Sequence, residues 1–202
     1  MSNIIKYSGG TSPNSIKSGN FNIGVNSTPT DLTGFYNGIT PIIGGYTIYI
    51  NKTENGPSIN SNLQITGDQT LVFWVYPEGR NIRQNFYNKA YGGEGTITYE
   101  PNGALNYYYG TSGVDGGSYQ GFGTSSAIMA NLNQRYFVVL VRDLYSASKT
   151  LKWYINGVLN NTTATTYSAA KADVLPITLG KGYAGSFLER LGLSIQYNVA
   201  LN

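Results

Sequence analysis

Short runs of apolar and aromatic residues, each closed by a turn-forming residue, recur along the chain. Residues 70–76 (TLVFWVY) are β-branched and aromatic, and they end at Pro77. Residues 135–141 (RYFVVLV) form a nearly continuous apolar run of similar length. Runs of this length and composition are typical of buried strands. The first is therefore predicted to be a buried strand with a defined end, and the second a central strand of a sandwich.

Two segments have the composition of hairpins. Residues 151–159 (LKWYINGVL) centre on Asn156-Gly157, a pair that tolerates the positive φ angles of a type I′ turn. Residues 96–99 and 104–109 flank Pro101-Asn102-Gly103, where proline fixes φ and glycine supplies a positive φ. The pattern predicts a tight hairpin in each place.

The C-terminal part ends in an alternating pattern. Apolar residues at positions 191, 193, 195 and 197 alternate with Gly192, Ser194, Gln196 and Asn198. Successive side chains of a strand point to opposite faces, so this pattern predicts a last strand with its apolar residues on one face. Residues 177–179, which follow Pro176, are predicted to form a short strand before it.

Helix signals are nearly absent, because Gly, Asn, Thr and Tyr interrupt every apolar stripe of helical spacing. Residues 1–60 contain short extended pieces, such as 20–25 and 46–50, between Gly, Pro, Asn and Thr clusters. Many short strands separated by turn signals indicate an all-β protein, an antiparallel β-sandwich of the jelly-roll type. We expect a loop-rich N-terminal arm with short strands at 1–60 and the sandwich domain at 61–202.

The amino-acid composition excludes or disfavours several classes of function. Charged residues make up 11% of the 202 residues, against about 25% in an average soluble domain. The net charge of +3 is scattered, which disfavours binding to nucleic acid. The chain has no histidine and no cysteine, so a Ser-His-Asp triad, thiol catalysis and disulfides are excluded. The sequence has neither a signal-peptide pattern nor an apolar window of membrane-spanning length, so we expect a soluble chain that is not secreted through a signal peptide.

Five sequence blocks give a first family resemblance. Their order resembles the concanavalin A-like jelly roll in its laminin-G-like form and implies that fold for residues 70–201. This fold hosts lectins, glycosidases and structural modules, so it does not by itself select a function. Gln196 replaces a usually apolar residue, and Gly192 replaces an Asp of many members, which puts the usual calcium-associated chemistry near that strand in doubt. The blocks are 74–77 (WVYP), 135–143 (RYFVVLVRD), 154–158 (YINGV), 177–180 (ITLG) and 196–201 (QYNVAL).

The N-terminal part carries a second resemblance. Residues 18–25 (SGNFNIGV), 33–41 (TGFYNGITP), 44–49 (GGYTIY) and 55–59 (NGPSI) are similar to a block in virion structural proteins of large tailed bacteriophages. This implies a non-enzymatic capsid decoration or fibre-type protein, made in the host cytoplasm and located in the virion. Its partners would be other virion proteins such as the major capsid protein, and a homo-oligomer is compatible with this role. The arm residues expected to attach it are Phe21, Phe35, Tyr36 and Tyr49.

Tyrosines form the candidate contact surface. Tyr107 and Tyr109 share one face of a predicted strand, and Tyr108 takes the other. One face must be core, while the other, with tyrosines on nearby Gly-rich loops, offers flat rings on which a sugar can stack. Core packing, a protein interface and sugar stacking all remain open interpretations. The candidate sugar or partner contacts are Tyr91, Asn106, Tyr107, Tyr109, Tyr119 and Gln120.

The carboxylates do not indicate catalysis. Glu94 and Glu100, if extended, would lie about 20 Å apart, beyond the roughly 5 to 9.5 Å of a glycosidase pair. We expect both to be solvated, and no catalytic residue is predicted. Asp115 lacks the second carboxylate that calcium usually needs, and Asp143 fits a surface ion pair with Arg142, so neither a metal nor another cofactor is predicted. Without histidine or clustered acids, no pH-dependent switch is expected between about pH 5.5 and 8.5.

Two functions follow from these observations. The leading hypothesis is a non-enzymatic virion structural protein that binds other virion proteins. The alternative is a carbohydrate-binding, lectin-like module for adsorption to a host surface, with cell-surface glycans as partners. Neither hypothesis involves nucleic acid or a membrane.

Overall fold

The computed structural model describes residues 64–187 and 190–201 and, in addition, the backbone of four N-terminal strands. The described residues form fourteen strands and one short π-helical turn, Ala90–Glu94. The strands are β1 (Ile4–Tyr7), β2 (Ile39–Ile42), β3 (Gly45–Tyr49), β4 (Ser58–Ile59), β5 (Gln69–Tyr76), β6 (Gln84–Asn88), β7 (Thr96–Tyr99), β8 (Leu105–Gly110), β9 (Tyr119–Gly123), β10 (Tyr136–Asp143), β11 (Thr150–Ile155), β12 (Val158–Ala164), β13 (Ile177–Leu179) and β14 (Arg190–Tyr197).

The strands form two antiparallel sheets that pack as a sandwich. The first sheet has the order β12-β11-β10-β5-β14-β3-β2, and β1 also pairs with β14. The second sheet has the order β4-β13-β6-β7-β8-β9. The all-β sandwich predicted from the sequence is therefore confirmed. Among the described residues, no helix is long and apolar enough to cross a membrane.

The core between the sheets is unusually aromatic. On β10 and β11, Val138, Leu140 and Trp153 point inward and are buried, while alternate residues are partly exposed. Across the sandwich, Phe73 of β5 meets Phe86 of β6 edge-to-face, with ring centroids 5.1 Å apart. Edge-to-face pairs of this kind add stabilisation to the area they bury.

The Asn156-Gly157 turn has the predicted geometry. Asn156 has φ 53° and Gly157 has φ 82°, as a type I′ turn requires, and the turn joins β11 to β12. The predicted strands at 96–99 and 177–179 also have the predicted bounds. β6 and β9 were not predicted, and the extended piece expected at 20–25 lies outside the described residues.

The predicted facing of β14 is wrong beyond its first residues. Its pairing with β5 shifts register between Leu191 and Ser194. An extra residue in one strand changes the face to which the following side chains point. As a result Leu191 is buried, and Ser194 and Gln196 are buried as well. The Gln196 side-chain amide donates to the Tyr87 hydroxyl at 3.3 Å, inside the core.

The structure also corrects the expectation for Arg142, which is not part of a surface ion pair. Its side chain is 0% exposed. The guanidinium donates to the carbonyls of Gly67 (2.8 Å), Glu94 (2.8 Å) and Ile65 (2.6 Å), and to the Tyr107 hydroxyl (2.8 Å). Arg142 therefore fixes segment 65–67 and the 90–94 turn to the centre of the sandwich.

Candidate functional site

Four tyrosines form a continuous aromatic surface, here called the tyrosine cluster: Tyr91, Tyr108, Tyr119 and Tyr183. The rings of Tyr91 and Tyr183 lie 4.6 Å apart between centroids. Tyr119 meets Tyr91 at 5.1 Å and Tyr108 at 5.9 Å, both edge-to-face. Tyr119 is 47% exposed and Tyr183 42%, while Tyr91 and Tyr108 are half-buried. The cluster thus presents the rings of Tyr119 and Tyr183 to solvent, packed against the half-buried rings of Tyr91 and Tyr108.

Strand alternation and one glycine position the centre of the cluster. Tyr108 lies on β8, and its neighbours Tyr107 and Tyr109 point into the core, so its ring stands on the outer face of the second sheet. Gly121 of β9 is its cross-strand partner. A Cβ at Gly121 would lie 2.8 Å from the Tyr108 ring, so only glycine leaves room for the ring to lie across the neighbouring strand.

Tyr91 is held by two loops that lock together. Its backbone N–H donates to the Asp115 carboxylate at 2.9 Å. The N–H of Gly92 donates to the Val114 carbonyl at 3.0 Å, and the N–H of Gly113 donates to the Gly92 carbonyl at 2.9 Å. These bonds tie the 90–94 turn to the loop between β8 and β9, and so place Tyr91 beside Tyr119.

A buried group of charged residues stabilises the 90–94 turn. Lys89 and Glu94 form an ion pair in which both side chains are 1% exposed. The Glu94 carboxylate also accepts from the Ile65 N–H, and the Asp173 carboxylate accepts from the Glu94 N–H at 3.3 Å. Glu94 was expected to be solvated, and its burial corrects that expectation. Burial raises the pKa of Asp173 to about 6, although the charge of Lys89 opposes the rise.

Tyr183 reaches the cluster on a loop that folds over the second sheet. The Ala184 N–H donates to the Asn85 side-chain oxygen at 2.7 Å, and the Asn85 N–H donates to the Gly185 carbonyl at 3.0 Å. Phe187 then enters the core and packs on Phe86 at 5.6 Å. These contacts fix residues 182–187 across β6, with Tyr183 against Tyr91.

Polar groups border the cluster. The Arg83 guanidinium Nε donates to the Glu100 carboxylate at 2.8 Å. Thr98 donates to Glu100 at 2.7 Å, and the Asn106 amide donates to it at 2.9 Å. Burial by itself would raise the pKa of Glu100, but the hydrogen bonds from Thr98, Asn106 and Arg83 outweigh it and hold the pKa below its ordinary value. Glu100 is thus a buried carboxylate, contrary to the expectation that it is solvated.

The phenol groups of Tyr108 and Tyr183 stay protonated at neutral pH. Burial raises the pKa of Tyr183 to about 12, and burial also raises the pKa of Tyr108. Arg83 opposes both shifts. Each of these hydroxyls can therefore donate a hydrogen bond to a ligand as well as accept one.

A sequence comparison identifies the family. A family profile, the concanavalin A-like lectin/glucanases superfamily, matches residues 51–190. The chain belongs to this superfamily. No curated protein matches the chain in sequence.

Three solved structures share the superfamily fold with this chain at low identity. The binding domain of Paraclostridial Mosquitocidal Protein 1 is 20% identical with a TM-score of 0.63, and the match covers 82% of this chain but only 43% of that one. Domain 4 of AbnA, a GH43 extracellular arabinanase from Geobacillus stearothermophilus in complex with arabinotriose, is 14% identical with a TM-score of 0.62 (98% and 84% covered). The Ruminococcus gnavus IT-sialidase CBM40 bound to alpha2,3 sialyllactose is 15% identical with a TM-score of 0.56 (77% and 91% covered).

The structure separates the predicted contact residues of this superfamily member into two groups. Tyr91 and Tyr119 belong to the cluster, and Asn106 belongs to its polar border. Tyr107 and Tyr109 are 0% exposed, so the expectation that they present their rings is corrected. The Tyr107 hydroxyl contacts Arg142 and the Glu94 carbonyl, and the Tyr109 hydroxyl bonds Thr165 at 2.7 Å.

Gln120 is engaged away from the cluster. Its side-chain oxygen accepts from the Thr165 hydroxyl at 2.7 Å, and its amide donates to the Thr166 hydroxyl at 2.8 Å. Sequence reasoning missed Tyr108, Tyr183 and Arg83 as site residues. The alternation at 107–109 was the available signal for Tyr108, whereas no sequence pattern indicated Tyr183.

The structure does not test the predicted role of the four N-terminal aromatic residues in attachment. Phe21, Phe35 and Tyr36 lie outside the described residues. Tyr49 ends β3, where its backbone pairs with Arg190. The role of these four residues in attachment stays a prediction.

Proposed function

We propose that this protein is a non-catalytic carbohydrate-binding module and that the tyrosine cluster is its sugar-binding surface. The observation that carries the proposal is a partly exposed aromatic surface bordered by hydrogen-bonding groups. Tyrosine rings give large, rigid contact area with a polar tip, and a sugar ring offers an apolar C–H face with hydroxyls at its edge. Tyr119 and Tyr183 would stack with the sugar, and Arg83 and Asn106 would bond its hydroxyls.

The structural comparisons support a binding role. The mosquitocidal structure is a binding domain, and the arabinanase domain and the CBM40 are complexes with saccharides. Fold likeness at this identity carries no specificity, so the choice of residues rests on the cluster itself. The virion role suggested by residues 18–60 has no support in these comparisons and stays a prediction.

The test is glycan binding by the full chain. A glycan array should identify binders, and isothermal titration should then show that Tyr119→Ala and Tyr183→Ala each weaken binding by about tenfold or more, since a lost stacking contact of about 1.4 kcal/mol corresponds to that factor. Tyr145, which is 78% exposed and follows β10 of the first sheet, supplies the matched control Tyr145→Ala. Equal affinity of all three variants, or the absence of any glycan ligand, would overturn the proposal.

A further inference from the structure

The arginine beside the tyrosine cluster is neutralised by a glutamate. Arg83 and Glu100 are the charged residues whose fields act on both Tyr108 and Tyr183. They neutralise each other in an ion pair of 2.8 Å. At Tyr91, the exposed Asp115 carboxylate accepts the backbone N–H. Arg83, Glu100 and Asp115 thus place one cation and two anions beside the cluster.

Arg83, the cation among these three residues, already has an anionic partner. An arginine binds a carboxylate best through two parallel N–H donors along one edge of the guanidinium. The Nε of Arg83 donates to Glu100 at 2.8 Å. A ligand carboxylate at Arg83 would have to displace Glu100 or lie within a few ångströms of its negative charge.

Glu100 is held too firmly to move aside. Besides Arg83, it accepts from the Thr98 hydroxyl and the Asn106 amide, and it is buried. Removing Glu100 from these donors would leave them unpaired, which is costly for buried groups. Sugar hydroxyls, in contrast, can accept from the remaining donors of Arg83 and can donate to Glu100 without any change of charge.

We infer that the tyrosine cluster binds uncharged glycans and discriminates against glycans that carry a carboxylate, such as sialosides and uronates. This inference rests on the proposed function and adds the substrate class to it. The discrimination comes from the Glu100 carboxylate, whose negative charge lies beside the Arg83 donors that an acidic sugar would use.

The experiment compares neutral and acidic glycans with the full chain. On an array holding both, the ligands bound should be uncharged, and the affinity of the best ligand should change less than about twofold between low and high NaCl, since few charges are available for screening. Tighter binding of acidic glycans that weakens with salt would overturn this inference and leave the proposed function standing. Binding of no glycan would overturn both.

A charge variant tests the cause of the discrimination. Glu100→Gln replaces the carboxylate with an uncharged amide on a side chain of the same length, and it should raise the affinity for α2,3-sialyllactose relative to lactose by about tenfold. Asp143→Asn removes one negative charge at the end of β10, on the other sheet, and should leave that ratio unchanged. If Glu100→Gln leaves the ratio unchanged, or if Asp143→Asn shifts it equally, the inferred role of Glu100 is wrong.

Discussion

Replacing Arg142 with methionine should destabilise the fold strongly. Buried ion pairs can often be exchanged for apolar residues at little cost, because both charges leave together. Arg142 is different, since its hydrogen-bond partners are three backbone carbonyls and the Tyr107 hydroxyl, which stay in place when the guanidinium is removed. Arg142→Met would therefore remove a donor from four buried polar groups, of which the Glu94 carbonyl keeps the hydrogen bond from the Tyr107 hydroxyl.

The magnitude follows from those four groups. An unpaired buried acceptor costs about 1 kcal/mol or more, and the contact of Arg142 over the Tyr109 ring at 5.1 Å is lost as well. Some of the cost is recovered as the site relaxes, so we expect a loss of about 3 to 5 kcal/mol. For a chain of this size, this corresponds to a melting temperature lower by roughly 6 to 20 °C.

Circular dichroism melts of three variants check this reasoning. Arg142→Met should show the full loss, and Arg142→Lys an intermediate one, because an ammonium group cannot reach four acceptors in a fork geometry. Arg135→Met removes an exposed arginine just before the same strand and serves as the control. An Arg142→Met protein that melts within about 2 °C of the wild type would refute the argument.

Three further predictions concern pH, a turn and a cross-strand contact. The pKa of Asp173 is raised to about 6, so the stability that Asp173 contributes is complete below about pH 4 and is lost as pH rises through about 6. The melting temperature of Asp173→Asn should therefore rise relative to that of the wild type from about pH 4.5 to 7.5. A difference in melting temperature that does not change with pH would contradict this. Gly157→Val should lower the free energy of unfolding in denaturant by about 1 to 3 kcal/mol through backbone strain alone, because no atom lies within 4 Å of a Cβ at this position. Gly157→Asn should lower it by less. Equal losses of stability in the two variants would point to another cause. Gly121→Ala should displace the Tyr108 ring and weaken glycan binding in titration calorimetry, and unchanged affinity would show that Tyr108 does not contribute.

Local chemistry in the sequence was sufficient for the strands and turns. Asn156-Gly157 determines its own turn, because the positive φ angles depend on those two residues. The alternation at 107–109 correctly divided the three tyrosines between two faces. It could not show which face is core, because that depends on which sheet covers the strand.

The errors all depend on contacts between residues distant in sequence. Arg142 looks like half of a surface ion pair because Asp143 follows it, whereas its actual partners lie 35 to 77 positions away. Tyr183 joins the cluster because the loop after β13 is bonded to Asn85, 99 positions earlier. The environment of Asp173 likewise depends on distant residues, because Lys89 and Glu94 on another segment act on its pKa. The expectation of no pH-dependent switch stays a prediction.

The position of β14 has a consequence for the order in which the protein folds. β14 lies inside the first sheet, between β5 on one side and β1 and β3 on the other, so a strand near residue 190 pairs with one at residues 4–7. While the chain is being synthesised, β5 and β1 therefore have no partner at this position. Long-range strand pairing of this kind is slow, and waiting strand edges are prone to aggregation. We expect the first sheet to close only after β14 has been synthesised, and chains that end before residue 190 to remain incompletely folded.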